Sequence, residues 1–465
     1  MQLVERTDFY VALCCFAYIM VSTAAFNIAG GISRTAGAYI FFYATLTGVV
    51  GICTKAVLGE PANSNLVAPL RTFEVYLLGM VAMLIAAYIE SRFRRQRPLI
   101  ALLFPADNLR SIYIGAAVIG VTAQVYYNFF LSNENGSFAT AFHNADNFIP
   151  FALVMGVIYT VRSSNGRRSM TPGLGILFLM VFLEGVFTFS KQAMFLPPFC
   201  WVVGAAISRY NLRPFNIATL ALTVYILAAY MTPFSQYGRL YGAGNAILNA
   251  PIAISMLMDI NDIRKKNDES STIDYGKLNY YNQPEGIFDR LSMIGPDDLL
   301  IDVTDRQGLF GYEPTKEGFE NLIPHFIWPD KPVPYFGNLY AHEMGTLSPE
   351  DFTTGIAFGI SADAYHQGGV FGILFVMTFC LTVVFVISSA LLGSVRDHLA
   401  VIVSVLYVAH IAPEDAIPGL IILILNALVI LGLAFGCKYI LPVVASVFEP
   451  KKPKASFVRP ALAAG

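Results

Sequence analysis

The sequence predicts an all-α, polytopic membrane protein of about eleven transmembrane helices with a large, mainly helical external loop. Three observations carry that expectation. The 465 residues are 55% hydrophobic and only 13% charged, against roughly a quarter charged in a soluble domain, and the mean hydropathy is +0.58. Uncharged apolar runs near the ~20 residues that cross a bilayer recur along the chain. The polar residues are concentrated in one late segment instead of being interleaved with the apolar ones.

Seven apolar runs are plain: 9–33, 35–54, 111–133, 192–208, 214–238, 367–395 and 416–437. Four are shorter or interrupted, at 75–89, 147–161, 170–189 and 399–412. The chain then divides into eight membrane helices in 1–238, an external loop in 239–366, three membrane helices in 367–437 and a tail in 438–465. The apolar run 246–258 is too short for an easy crossing and reads as an interfacial or core helix. No basic segment precedes the first run, which is too long for a signal h-region, so no cleavable signal peptide is expected. All six cysteines fall in apolar runs without a CxxC pair and read as small core residues.

Basic residues near membrane ends mark the cytoplasmic face. With eleven spans, Arg34, the cluster Arg92, Arg94, Arg95 and Arg97, the cluster Arg162, Arg167 and Arg168, Arg209 with Arg213, Arg396, Lys438 and the "KKPK" tail all fall on one side. That orientation puts the N-terminus outside and the C-terminus inside. The segment 239–366, with 19 acidic and 9 basic residues, is then external and solvated. Within it "GPDDLLIDVTD" and "TKEGFENLIPHF" have the spacing of short helices with acidic starts.

Ionisable residues at the membrane are expensive and tend to face internal cavities. Glu184 interrupts an apolar helix and Lys191 sits in the outer turn "FTFSKQAMF", sharing a face with Glu184 if the helix continues. A stitching ion pair and a cavity cation are equal readings of these two. Arg239 follows the run 214–238, Arg290 lies in "IFDRLSMIG", and Lys331 closes "IPHFIWPDKP", which holds one of only two tryptophans. Each alone is an ordinary surface base; with Lys191 they form a set able to clamp phosphoryl oxygens. Candidate proton acceptors are Asp363 and His366 in "SADAYHQGG", Glu414 in "HIAPEDAIPG", and His325 behind them. The structural reading of Glu414 and Asp415 is N-cap chemistry for the last span. "AHEM" and "DAYH" are weak metal patterns, and there is no P-loop, Rossmann fingerprint or GxSxG, so no cofactor, metal or nucleic acid is expected.

The patches "FTFSKQ", "FDRLSM", "IPHFIWPDKP" and "SADAYHQGGVFG", together with the odd helix number and the late external loop, resemble the Wzy-type polysaccharide repeat-unit polymerases, which include the O-antigen and enterobacterial common antigen polymerases. The resemblance implies a GT-C-like membrane glycosyltransferase in the bacterial inner membrane, acting at the periplasmic face. Its substrates would be undecaprenyl-pyrophosphate-linked oligosaccharides. An acceptor sugar hydroxyl attacks the anomeric carbon and lipid pyrophosphate leaves, without a nucleotide sugar. Lys191, Arg239, Arg290 and Lys331 would then hold pyrophosphate or glycan; Asp363, His366, Glu414 and His325 would compete as base. A chain-length regulator is an implied partner besides the bilayer. In "IPHFIWPDKP" the resemblance makes Trp328 and Phe326 interfacial anchors that aim Lys331 at the cavity mouth. Two features depart from the family: Lys191 stands where an arginine is common, and "APEDA" where another is. O-antigen ligase-like transfer and a transporter or flippase of an anionic lipid-linked glycan remain open. No internal repeat of the transporter kind is visible.

Overall fold

The computed structural model describes residues 2–95, 97–103, 109–126, 148–239, 241–242, 246–269, 278–282, 292–323, 327–328, 331, 335–352 and 354–448. Among them the regular structure is helical throughout. Seven helices are long and apolar enough to cross a membrane: α1 (Phe9–Ile28), α2 (Thr35–Leu58), α3 (Pro69–Phe93), α4 (Leu109–Tyr126), α8 (Pro214–Arg239), α14 (Ile360–Leu391) and α16 (Ile417–Tyr439). Between α4 and α8 run α5 (Phe148–Ser163), α6 (Pro172–Phe187) and α7 (Lys191–Ile207), and α15 (Leu399–Glu414) precedes α16. Helix α9 (Ala246–Met258) meets α10 at a bend of 95°, and the pair counts as an eighth span if taken as one. The cap that follows consists of α10 (Ile260–Glu269), α11 (Ile294–Gln307), α12 (Glu313–Glu320) and α13 (Phe336–Glu343). Helix α17 (Leu441–Phe448) packs back on α4.

The surface is that of a membrane protein. Phe371, Phe375 and Phe379 form an i, i+4, i+8 stripe on α14, each more than half exposed, and the first half of α8 buries no residue at all. Apolar stripes of this size stay in contact with solvent only where the solvent is lipid. Among the described residues, two packing centres lie inside. The larger joins α1–α7 and α14–α17 with parts of the cap. The smaller gathers Val186, Phe189, Met194, Leu227, Phe234, Ala253, Met256 and Ile263 from the α6–α7 turn, α8, α9 and α10.

Close helix contacts depend on small residues. A side chain at Gly79 of α3 would run into the Ser361 hydroxyl of α14, so only glycine lets these two helices approach as they do. Helix α14 starts at Ile360, seven residues before the start expected near Gln367, and breaks at Gly368 and Gly369, where Gly369 has φ of +60°. The break frees the carbonyls of His366 and Gln367, which accept from the amides of Phe310 and Gly311 at 2.9 and 3.1 Å. The loop after α11 is thereby tied to the interrupted span.

Lys55, in the last turn of the α2 span, is fully buried. Its Nζ donates to the carbonyl and hydroxyl of Ser64 at 2.8 and 2.5 Å, lies 3.5 Å from Glu60 and stands 4.4 Å over the Tyr280 ring. It therefore clamps the loop between α2 and α3 to the segment of the cap between α10 and α11. Lys55→Met keeps the aliphatic length but orphans those acceptors, and it is expected to destabilise the protein by about 2 kcal/mol. Thermal unfolding of purified protein in detergent measures this; an unchanged midpoint would mean that Lys55 does not hold the loop.

Candidate functional site

Polar chemistry concentrates where the cap meets the spans. Helices α3 and α16 both begin with proline in the first turn after an alanine, Ala68 and Ala416, that offers no capping side chain. Helix starts leave amides unsatisfied and carry partial positive charge. In both cases an aspartate from a distant element supplies the acceptor. Asp298 of α11 accepts from the amides of Val67 and Ala68 at 2.6 and 3.1 Å and from the Thr72 hydroxyl at 2.7 Å. Asp363 of α14 accepts from the Ile417 amide at 2.9 Å, from Gln367 Nε2 at 2.8 Å and from the Tyr340 hydroxyl at 3.0 Å.

Asp297, next to Asp298, points the other way. Its carboxylate accepts from Tyr76 of α3 at 2.7 Å and from the Gly359 amide, just before α14, at 2.8 Å. Burial pushes this carboxyl up to about 7, against the opposing effect of its two donors and with further upward pressure from Asp363 and Asp298. Burial also raises Asp298, which its three donors pull back. The acidic start expected for α11 is present, but the two acids bind other helices inside the protein.

One turn along α14 from Asp363, His366 is buried between rings: Phe310 stacks on it with centroids 5.3 Å apart and Tyr340 meets it edge-on at 4.7 Å. Its Nδ1 lies 2.8 Å from the Thr304 hydroxyl. Its Nε2 lies 3.2 Å from a carboxylate oxygen of Glu343, at ion-pair distance but outside hydrogen-bond geometry. Gln367 accepts from Thr315 of α12 at 2.6 Å. Burial raises both Glu343 and Tyr340, with the Asp363 carboxylate adding to the second.

The expected cations are distributed differently. Helix α6 ends at Phe187, Phe189 turns left-handed with φ of +53°, and Lys191 opens the new helix α7. Glu184 and Lys191 therefore do not share one continuous helix, and Glu184 accepts from Gln124 of α4. Arg239, at the end of α8, donates from Nε to the Phe189 carbonyl at 3.2 Å, two residues before Lys191. The same turn receives the Ser235 hydroxyl on the Phe189 carbonyl. The structure thus brings Lys191 and Arg239 to one turn.

Lys331 turns back onto the loop after α12. Its Nζ donates to the carbonyls of Asn321 and Ile323, at 3.2 and 2.9 Å, just beyond the end of α12, and burial lowers its affinity for the proton. A cation at a helix C-terminus satisfies free carbonyls and the dipole together. Trp328 and Ile327 beside it are exposed. Glu414 is exposed at the end of α15; Asp415 is raised to about 6 by burial, with His410 opposing. Neither caps α16, because Asp363 takes the Ile417 amide. Arg290, His325 and Phe326 lie outside the described residues.

Asp297 and Asp298 stand in the acid-start stretch and Glu343 in "AHEM", but the sequence assigns no site role to them, nor to Tyr340 and Thr304. The adjacent acids in "PDDLLID", within an otherwise apolar stretch, were the one available signal for the first two. Among the described residues no group of His, Cys, Asp and Glu has the arrangement of a metal site. Comparison with protein-family models, curated proteins and solved structures gives no match.

Proposed function

We propose that the protein is a glycosyltransferase of the bacterial cytoplasmic membrane that joins undecaprenyl-pyrophosphate-linked oligosaccharide repeat units. In this reading α5, α6, α7 and α15 cross together with the seven long helices, making eleven spans with the N-terminus periplasmic, the C-terminus cytoplasmic and the cap on the periplasmic face. The observation that carries the reading is the meeting of Arg239 with the Lys191 turn, since two fixed cations at one place are what a departing pyrophosphate requires. The patches shared with Wzy-type polymerases add to it, and Arg290 joins the set on that resemblance alone. Lys331 supports the loop after α12 instead of meeting phosphate. Asp363, with three donors on its carboxylate, holds helices together. The acceptor hydroxyl then gives its proton to the exposed Glu414 or to His366, and mutating each separates the two.

Purified protein in lipid, supplied with lipid-pyrophosphate-linked repeats and no nucleotide sugar, is expected to give a ladder spaced by one repeat. Lys191→Ala and Arg239→Ala are each expected to slow it about a hundredfold while leaving the protein in the membrane. Intact monomer with the wild-type protein would overturn polymerase chemistry, and transfer only to an added acceptor would mean a ligase. A carrier for an anionic lipid-linked glycan is the second reading. It is favoured by the break in α14 at Gly368 and Gly369 and the 95° bend between α9 and α10, because discontinuous helices flank substrate sites in transporters. Substrate flux across vesicles without bond formation would decide for it.

A further inference from the structure

Near their C-terminal ends, α3 and α14 leave a slot between them that opens to the surrounding lipid. Ile89 and Phe93 of α3 line one wall and Thr382, Val383, Val386 and Ile387 of α14 the other, around a volume of about 330 Å³. The Thr382 hydroxyl already donates to the Thr378 carbonyl at 2.7 Å, so the lining side chains offer an occupant only apolar contact. Thr382, Val383 and Val386 follow Phe379 at helical spacing, and the slot therefore continues the exposed stripe of Phe371, Phe375 and Phe379 along one face of α14. The basic end of the slot has the opposite chemistry. Arg92 lies between Ile89 and Phe93 in the chain and bends back one turn: its Nη2 donates to the Tyr88 hydroxyl at 2.6 Å, and the guanidinium stands 4.9 Å over the Tyr88 ring. Both side chains are exposed, so the cation is held beside the slot and does not reach past the helix end into water. A side chain at Gly393 would run into Pro98, so the end of α14 rests on the loop after α3. Arg95 and Arg97 of that loop and Arg396, three residues beyond Gly393, are exposed at the same end. Among the described residues there, Asp397 is the exposed acid, while Glu90 is buried in its pair with Arg94 at 2.6 Å.

We infer that this slot binds an anionic glycerophospholipid, with one acyl chain between α3 and α14 and the phosphate at Arg92. An apolar slot that ends at a fixed guanidinium matches the two halves of such a molecule. Arg95, Arg97 and Arg396 surround the headgroup, where four exposed arginines face one exposed aspartate. A zwitterionic lipid fills the slot equally well but brings its own cation to a face that is already positive. A soluble phosphate meets Arg92 but leaves the slot without its chain. Basic pockets between membrane helices on the cytoplasmic side bind anionic headgroups, and the arginines occupy that side in the orientation proposed above. The bound lipid bridges α3 and α14 from outside, whichever reaction the protein performs.

Native mass spectrometry of the delipidated full-length protein in detergent, titrated with dioleoyl phosphatidylglycerol or dioleoyl phosphatidylcholine, tests the site. Detergent has no leaflets and no reaction is read, so the result stands apart from the orientation and the chemistry proposed above. One phosphatidylglycerol is expected to bind at least about tenfold more tightly than phosphatidylcholine and to raise the unfolding midpoint. Arg92→Ala is expected to lower that affinity about tenfold. Val386→Trp fills the slot, leaves every arginine in place, and is expected to weaken binding as much. Without lipid, both variants are expected to keep the wild-type unfolding midpoint, which separates lost binding from lost fold. Glycerol 3-phosphate, a headgroup without chains, is expected not to bind. Equal affinity of the wild-type protein for the two lipids would overturn the inference, and so would unchanged phosphatidylglycerol affinity in either variant. Glycerol 3-phosphate binding as tightly as the lipid would do the same, since the slot would then contribute nothing.

Discussion

Asp363→Ala is expected to destabilise the protein by about 4 kcal/mol, enough to deplete it from the membrane. The substitution strips the acceptor from three buried donors: the Tyr340 hydroxyl, the Gln367 amide and the backbone N–H of Ile417. Each orphaned buried donor costs about 1–3 kcal/mol. The loss is not local, because these donors belong to the cap helix α13, to α14 itself and to the start of α16. Asp363→Asn keeps the shape but turns an NH₂ group toward one of the donors, so a smaller loss of about 2 kcal/mol is expected. Unfolding of the purified variants in detergent, together with their amounts in membranes, measures both. Wild-type stability for Asp363→Ala would show that the Ile417 amide and Tyr340 find other partners.

Asp297→Asn is expected to abolish most of the protein's loss of stability between about pH 4 and pH 7. Burial raises the Asp297 carboxyl in the fold to about 7, above its ordinary value of 3.8, so the folded protein holds this proton more tightly than the unfolded chain does. The contribution is fully present below about pH 4 and disappears as pH rises through about 7, an effect of up to about 4 kcal/mol. Asparagine is neutral throughout and still accepts from Tyr76 or the Gly359 amide. Asp415, raised to about 6, and Asp298 and Glu343, both raised by burial, act in the same direction and leave a shallower slope in the variant. Unfolding midpoints measured from pH 4 to pH 8 decide the matter. Parallel profiles for variant and wild type would mean that Asp297 stays ionised, held by its two donors.

The helices were legible because a span is written locally. An apolar run with polar ends is sufficient to place α1, α2, α8, α14 and α16, and each of the eleven expected runs contains a helix. Length separates seven of these, which reach across a bilayer, from α5, α6, α7 and α15, which are shorter. The turn at Lys191 was legible for the same reason, being a polar interruption between two apolar runs. The start of α14 was not, since Ser361, Asp363 and His366 read as polar loop, whereas burial against α3, α11 and α13 makes them interior positions of a helix.

What the sequence by itself determined is the class of protein and where its polar residues gather, because hydropathy and charge are sums over neighbouring residues. Only the tertiary structure decided what those residues do. Asp298 stands in a stretch that reads as a helix with an acidic start, and it caps α3 from 230 positions away; Asp363 is one of the candidate bases, and it caps α16 from 54 positions away. Lys331 was read as a substrate cation, and it closes the end of α12. A buried hydrogen-bonding group must find a partner wherever the fold supplies one, and that partner is set by which helices pack together, not by spacing along the chain.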